Sequence, residues 1–339
     1  MGRKSSDTRN TVPVSSNNKK KRHLVRRYIL SILVVFLLAA LGCAAYEYYN
    51  LRPQHHFRNL PAIGKTNADR KERTGTFNLL LIGSDARPGD PAGHSDSMLL
   101  VHANLNTHKY YILSIPRDTR VYMPGVGYTK LTSVNYMDQL NHGIKNGTSD
   151  AVAAISQLVG VPINYFAETN NWGFQDMVDS IGGINMTLPF NVTLTHPWHK
   201  SDKNKLFTVG THALSGRDVN EIVHERDSVP GTDYGRQQLQ EAALIGIAKK
   251  VGQPANVTKL PSLLGSVSKY LIATNMTRDD MVSAGLSVMN NLHPQQQIRY
   301  LQIKGANQVM YDDMLQKTND EVLLDPVQLH KLANTYFSN

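Results

Sequence analysis

Between Phe77 and Arg120 the sequence runs FNLLLIGSDARPGDPAGHSDSMLLVHANLNTHKYYILSIPRDTR. Phe77–Ile82, Met98–Ala103 and Tyr110–Ile115 are apolar runs of strand length, separated by turn residues and charge. Runs of that kind predict buried strands. Charge gathers at their ends: Asp85, Arg87, Asp90, His94 and Asp96 in the first two loops, then Arg117, Asp118 and Arg120 after Pro116. Open α/β sheets place their ligand sites at such ends. The stretch therefore restricts the chain to a sheet-centred fold with a charged site along one edge.

The rest of the chain alternates. Helical spacing is read at Lys130–Gly143, Ser149–Val159, Asn171–Ile181, Asp233–Val251, Leu260–Leu271, Arg278–Leu292 and from Pro326 onward. Strands are read at Asn164–Glu168, Ile184–Leu188 and Ile298–Ile303, with Leu214–Val223 leading into another; residues 189–209 have no clear period. Alternation this regular predicts an α/β fold, a three-layer α/β/α domain with a central mixed sheet.

Charge is uneven. Of the formal +9, residues 1–27 carry nine basic side chains against the single acid Asp7. The basic balance thus describes a tail and argues against nucleic acid as a partner of the folded part. Next comes YILSILVVFLLAALGCAAY, residues 28–46, with no charge. A spanning helix needs about 20 apolar residues, and the basic flank predicts a cytoplasmic N-terminus with the remainder outside. The rivals are a cleaved signal peptide, whose n-region would be unusually long, and a lipoprotein signal ending at Cys43. Residues 47–72 read as a polar stalk. Cys43 is the only cysteine, which excludes disulfides, a cysteine nucleophile and zinc–thiolate sites from the outer part.

Asp85 and Asp96 are the metal candidates. Two carboxylates can hold one hard divalent cation and leave positions for water and phosphate; the plainer reading is that Asp85 caps a turn and Asp96 a strand end. Arg117 and Arg120, following a buried strand, suit bidentate phosphate binding, or ion pairs with Asp118 or Asp85. On a strand, His224 and Arg226 would share a side. Arg236 and Gln240, four apart at a helix start, share a face that favours an anion. Lys130 opens another helix and either joins this cradle or lies on the surface.

GSDARPG…HSDSMLLV, SIPRDTRV, KLTSVNY, WGFQDMVDSIGGINMTLP and ALSGRDVNEIVHERD…DYGRQQLQ, in that order, closely resemble the LytR-CpsA-Psr family of envelope phosphotransferases. The resemblance implies a cytoplasmic tail (1–27), a transmembrane helix (28–46), a stalk (47–72) and an extracellular catalytic domain (73–339), with a motif core at 77–251 and a C-terminal part at 252–339. It implies transfer of a glycopolymer of teichoic acid or capsule type from a polyprenyl-pyrophosphate carrier to peptidoglycan. Asp85 and Asp96 would hold Mg²⁺, with Mn²⁺ as a substitute. Arg87, His94, Arg117, Arg120, Lys130, His224, Arg226, Arg236 and Gln240 would bind the pyrophosphate. Asp96, Arg117 and Asp118 would be catalytic, an acid deprotonating the attacking hydroxyl. The prenyl chain would need an apolar slot, for which Ala242, Leu244, Ile245 and Ile247 are candidates.

The family usually has arginine where this chain has His94 and His224. A neutral imidazole binds phosphate less well than guanidinium, and histidine titrates near pH ~6.5. Activity is therefore expected to favour mildly acid conditions that charge both. Two other classes fit parts of the pattern. A non-catalytic envelope regulator or lipid-binding paralogue would share the topology. A membrane glycosyltransferase would share it too, with five N-x-T sequons, but the chain has no D-x-D motif.

Overall fold

The computed structural model describes residues 36–43, 45–58, 60–63, 74–253, 267, 269–289 and 293–337. Two compact units meet in sequence between Asn50 and Leu51. In the first, residues 36–43 and 45–50 are helical, with Phe36, Leu37, Leu38 and Leu41 exposed. Residues 28–35 of the expected spanning segment, and the whole basic tail, lie outside the described residues. Among those described, no helix is long and apolar enough to cross a membrane.

The second unit is built on a six-stranded mixed sheet in the order β11-β6-β1-β2-β3-β12. Its strands are β1 (Thr76–Ser84), β2 (Ser95–Asn104), β3 (Lys109–Ile115), β6 (Tyr165–Asn170), β11 (Leu271–Thr274) and β12 (Ile298–Gln302). β1, β2 and β3 form an antiparallel meander, while β6 runs parallel to β1 and β12 parallel to β3. Short strands β4 (Arg120–Met123) and β5 (Gly127–Lys130) make a hairpin, as do β13 (Gly305–Asp312) and β14 (Lys317–Leu324). β7 (Ile184–Leu188) pairs with β10 (Gly210–Leu214), and β8 (Val192–Thr193) with β9 (Leu206–Phe207). The longer helices are α1 (Leu131–His142), α2 (Ser149–Val159), α3 (Asn171–Ser180), α4 (Gly216–His224), α5 (Asp233–Val251), α6 (Arg278–Met289) and α7 (Pro326–Tyr336).

Alternation along the strands decides which layer each side chain joins. Leu80, Ile82, Met98, Leu100, Leu113 and Ile115 point to one face and form a core with Val134 of α1, Val152 and Ile155 of α2 and Leu329 of α7. A fully buried leucine or isoleucine stabilises by about 1.5–3 kcal/mol, so this face anchors the domain. Leu81 and Leu99 point the other way, toward α3, α4 and α5. Those helices share a second core with β7 and β10 around Val178, Met186, Val219, Ile222 and Leu239. The result is the expected sheet between two helical layers.

Four local expectations change. Leu214–Val223 leads not into a strand but into helix α4. Ser215 caps it by accepting the Asp218 N–H at 3.2 Å. Val219, Ile222 and Val223 then fall on one helical face, where i, i+3 and i+4 meet. Lys130 ends strand β5, one residue before its helix. Asp96 lies within β2 rather than in a loop. Part of the expected stalk is packed: Phe57 is fully buried against Phe77 and Tyr165, and Ile63 bridges to Ile163. Most of the expected Leu260–Leu271 helix lies outside the described residues.

Candidate active site

The charged residues converge where β1 and β3 end and β2 begins. The loop between β1 and β2 folds back on itself. Asp85 Oδ1 accepts the His94 N–H at 2.7 Å, and the Asp85 N–H donates to the His94 carbonyl at 3.1 Å. Gly93 permits this closure, because a Cβ there would lie 2.2 Å from Ser84 Oγ and 2.7 Å from the Ala86 nitrogen. The Gly93 N–H is held by Gln139 Oε1 at 2.8 Å. Gln139 in turn donates to the fully buried Glu168 carboxylate, which also receives Asn135 and Thr148. The loop is thus tied to α1 and β6 from below. His94 stacks on Tyr136, ring centroids 4.4 Å apart.

Asp96 is the hub. Its carboxylate pairs with Arg117 from the end of β3. Its backbone carbonyl accepts from Arg236 Nη2 at 3.0 Å, and Arg236, only 3% exposed, also pairs with Asp233. Arg117 Nε lies 3.6 Å from Asp118, whose other oxygen meets Lys130 Nζ at 3.1 Å. The Nε atoms of Arg117 and Arg236 are buried without a hydrogen-bond acceptor. Leaving a buried donor unmade costs about 1–3 kcal/mol, a penalty that an incoming anion relieves. Burial opposes the charge on Arg117, but Asp96 and Asp118 outweigh it and raise its pKa. Burial likewise works against the Asp85 carboxylate, yet the His94 hydrogen bonds and the charges of His94 and Arg117 hold its pKa below the ordinary value.

His224 ends α4 and packs against Trp198, ring centroids 5.0 Å apart. Burial, with Arg236 and Arg117 adding repulsion, pushes its pKa below the ordinary value despite the opposing pull of Asp96 and Glu221. Charging His224 is therefore harder than charging a free imidazole, which works against the acid activation expected of it. Arg226 follows on a loop fixed by Glu225, which gathers the N–H groups of Thr195, Arg226, Asp227 and Ser228 at 2.7–3.1 Å.

An apolar cavity of about 250 Å³ opens beside this cluster. Leu81, Leu99, Phe174, Met177, Val223, Ala243, Leu244 and Ile247 line it, and Asp96, His224, Arg236 and Gln240 stand at its polar end. Of the four slot candidates, Leu244 and Ile247 line the cavity, while Ala242 packs in the second core.

The structure thus joins Asp85, His94, Asp96, Arg117, Asp118, Lys130, His224, Arg236 and Gln240, with Arg226 close enough to act on the charge of Arg236. Arg87 stands at the margin, exposed, its guanidinium 5.8 Å from the Trp198 ring. Arg120 is not brought in. It pairs with the buried Glu321, donates to the Tyr311 carbonyl at 3.1 Å and lies 4.5 Å over the Tyr128 ring. Asp233 and Trp198 are site residues the sequence reading passed over. Asp233 stood inside the DYGR block three residues before Arg236, a spacing that could have found it; Trp198 lay in the aperiodic stretch.

Asp85 and Asp96 suit a hard divalent cation by donor type: two carboxylates in partly open positions, which is the protein share Mg²⁺ usually takes. A three-ligand group occurs elsewhere, at His199, Asp202 and Glu221. There Arg217 pairs with Asp202 at 2.7 Å, much as Arg117 pairs with Asp96.

A model of the LytR_cpsA_psr family matches residues 44–326. A protein of Bacillus cereus (strain AH820) named polyisoprenyl-teichoic acid–peptidoglycan teichoic acid transferase TagU is 29% identical over 260 residues, 75% of this chain and 80% of that one. The protein of the same name from Bacillus subtilis (strain 168) is 30% identical over 277 residues, 79% of this chain and 82% of that one. The crystal structure of B. subtilis TagV superposes with a TM-score of 0.62 at 22% identity, over 77% of this chain and 95% of that one, and shares the fold.

Proposed function

The chain belongs to the LytR-CpsA-Psr family, and from that premise we propose that it transfers a glycopolymer of teichoic acid or capsule type from a polyprenyl-pyrophosphate carrier to peptidoglycan. One observation carries the reading. The half-buried Arg117 and the buried Arg236 meet on Asp96, each with an Nε donor that has no acceptor, and Asp96 and Arg236 line an apolar cavity. Cationic donors beside an apolar slot suit a lipid with a doubly phosphorylated head. The relatives' names point to the same transfer.

In the reaction, the acceptor hydroxyl oxygen attacks the phosphorus that carries the glycan. The bond from that phosphorus to the bridging oxygen breaks, and polyprenyl phosphate leaves. The hydroxyl proton passes to a carboxylate, Asp96 or Asp118. Phosphoryl transfer asks a protein mainly for positioning and charge neutralisation. Arg117, Arg236, Arg226, Lys130 and Gln240 supply these around the pyrophosphate, with neutral His224 donating a hydrogen bond. Mg²⁺, held by Asp85 and Asp96, would neutralise further pyrophosphate charge when bound. Leu81, Leu99, Phe174, Leu244 and Ile247 would hold the first isoprene units. The basic tail and the apolar 28–46 segment support a single membrane anchor with the catalytic unit outside the cell.

The test uses the full chain in detergent with Mg²⁺, a polyprenyl-pyrophosphate-linked glycan and peptidoglycan oligomers. Mass spectrometry should find a phosphodiester-linked product that disappears in Arg117→Ala and Asp96→Ala and on chelation of the metal. Tight polyprenyl-phosphate binding with no product under any acceptor would instead favour a lipid-binding paralogue.

A further inference from the structure

One surface next to the site enters the scheme above only at its Lys130 end. The β4–β5 hairpin pairs Arg120 with Lys130, Val121 with Thr129, and Tyr122 with Tyr128. Alternation splits these into two faces. Val121, Met123 and Thr129 turn inward and are buried. Arg120, Tyr122, Tyr128 and Lys130 share the outer face. Tyr122 and Tyr128 are 49% and 47% exposed, and their rings meet edge to face at 5.3 Å. Arg120, locked by Glu321 and Tyr311, lies over the Tyr128 ring and fixes it. Directly across from Arg120 on the same face, Lys130 meets Asp118.

We infer that this ribbon is the docking track for the acceptor polysaccharide, leading a glycan strand toward Asp118. The inference rests on the transfer reading above and adds where the acceptor binds. Rigid tyrosine rings offer flat apolar faces to the C–H faces of sugar rings, while their hydroxyls serve sugar oxygens. The track is continuous with the transfer residues: Tyr128 and Lys130 are two positions apart on one strand face, about 7 Å. Exposed tyrosines also suit a membrane surface. Here, however, the two cations of the face are already paired, Arg120 with Glu321 and Lys130 with Asp118, which leaves little free positive charge for anionic lipid.

The experiment compares the full-length chain with a Tyr122→Ala/Tyr128→Ala variant and a Tyr122→Phe/Tyr128→Phe variant. Transfer kinetics are run against uncrosslinked peptidoglycan oligosaccharides. Affinity for the same oligosaccharides, and for vesicles of anionic phospholipid, is measured without donor. Losing both rings should raise the acceptor KM and weaken oligosaccharide binding about tenfold, with kcat and donor KM within about twofold, and the phenylalanine pair should restore most of it. An alanine pair with unchanged acceptor KM and oligosaccharide affinity overturns the track while leaving the transfer reading standing. Loss of vesicle binding alone overturns it in favour of a membrane contact. Ring-dependent oligosaccharide binding in a chain that transfers nothing upholds the track and sinks the transfer reading.

Discussion

The Arg117 guanidinium pairs with the Asp96 carboxylate and lies 3.6 Å from Asp118, so one side chain faces an acid of β2 and its own neighbour in the turn after β3. Its planar fork sets the distance between those acids and keeps one donor over for phosphate. Arg117→Lys keeps the charge and loses the fork. Transfer should fall about 10²–10³-fold in kcat, the size seen when a single preorganised donor is removed. Urea unfolding should show a nearly unchanged midpoint, because the pair is partly open to solvent. A large midpoint shift with proportional loss of activity would make Arg117 a structural residue.

His224 makes the opposite point about charge. Its pKa is lowered, chiefly by burial. A group whose charged form is disfavoured in the fold contributes stability that is present above its unfolded value, near pH ~6.5. That stability is lost as pH falls through the folded value. Denaturation midpoints from about pH 7.5 to about pH 5.5 should therefore fall more in the native chain than in His224→Gln. Over the same range transfer should not rise through His224. A gain in activity on acidification that vanishes in His224→Gln would show acid activation through His224 instead.

The strands from Phe77 to Ile115 were legible because apolar runs between turn residues leave few other folds. The Asp233–Val251 helix was legible because a long run rich in helix formers ends on the stop signals Gly252 and Pro254. The α4 error had a local cause: Val-His-Glu-Arg alternates like a strand, and the Ser215–Asp218 cap two turns upstream overrides it. The β4–β5 and β13–β14 hairpins were missed because short or mostly exposed strands carry little hydrophobic signal. At the site, residue types were legible and pairings were not. Arg117 and Arg120 look alike in SIPRDTR, but one ends the central sheet and the other begins a hairpin, so they meet different acids.

That separation is testable. Arg120 pairs with Glu321, whose side chain is fully buried. Removing one member of a buried pair strands the other charge and costs about 3–5 kcal/mol. Arg120→Met should lower the unfolding free energy by that order, while the donor KM of the folded fraction stays within about twofold. A donor KM raised as far as in Arg226→Met would return Arg120 to the pyrophosphate cradle.

Glu168 carries the last expectation, because it ties the Asp85–His94 loop to the core without touching it. Its two oxygens receive Gln139 Nε2 at 2.9 and 3.0 Å, Asn135 Nδ2 at 3.2 Å and Thr148 Oγ1 at 2.9 Å. Every partner is a donor, so Glu168→Gln would turn an amide N–H against another donor. About 1–3 kcal/mol of stability should be lost. Burial raises the Glu168 pKa, and the hydrogen bonds only partly oppose it. Its contribution is therefore fully present below the unfolded value, about 4.3, and declines as pH rises through the folded one; the glutamine variant should lack that slope. Because Gln139 also holds the Gly93 N–H, the loop should loosen. Faster exchange of the Gly93 and His94 amides in Glu168→Gln, with the exchange of β3 unchanged, would show that the carboxylate acts on the site through the loop. Uniformly faster exchange would leave it a core residue and nothing more.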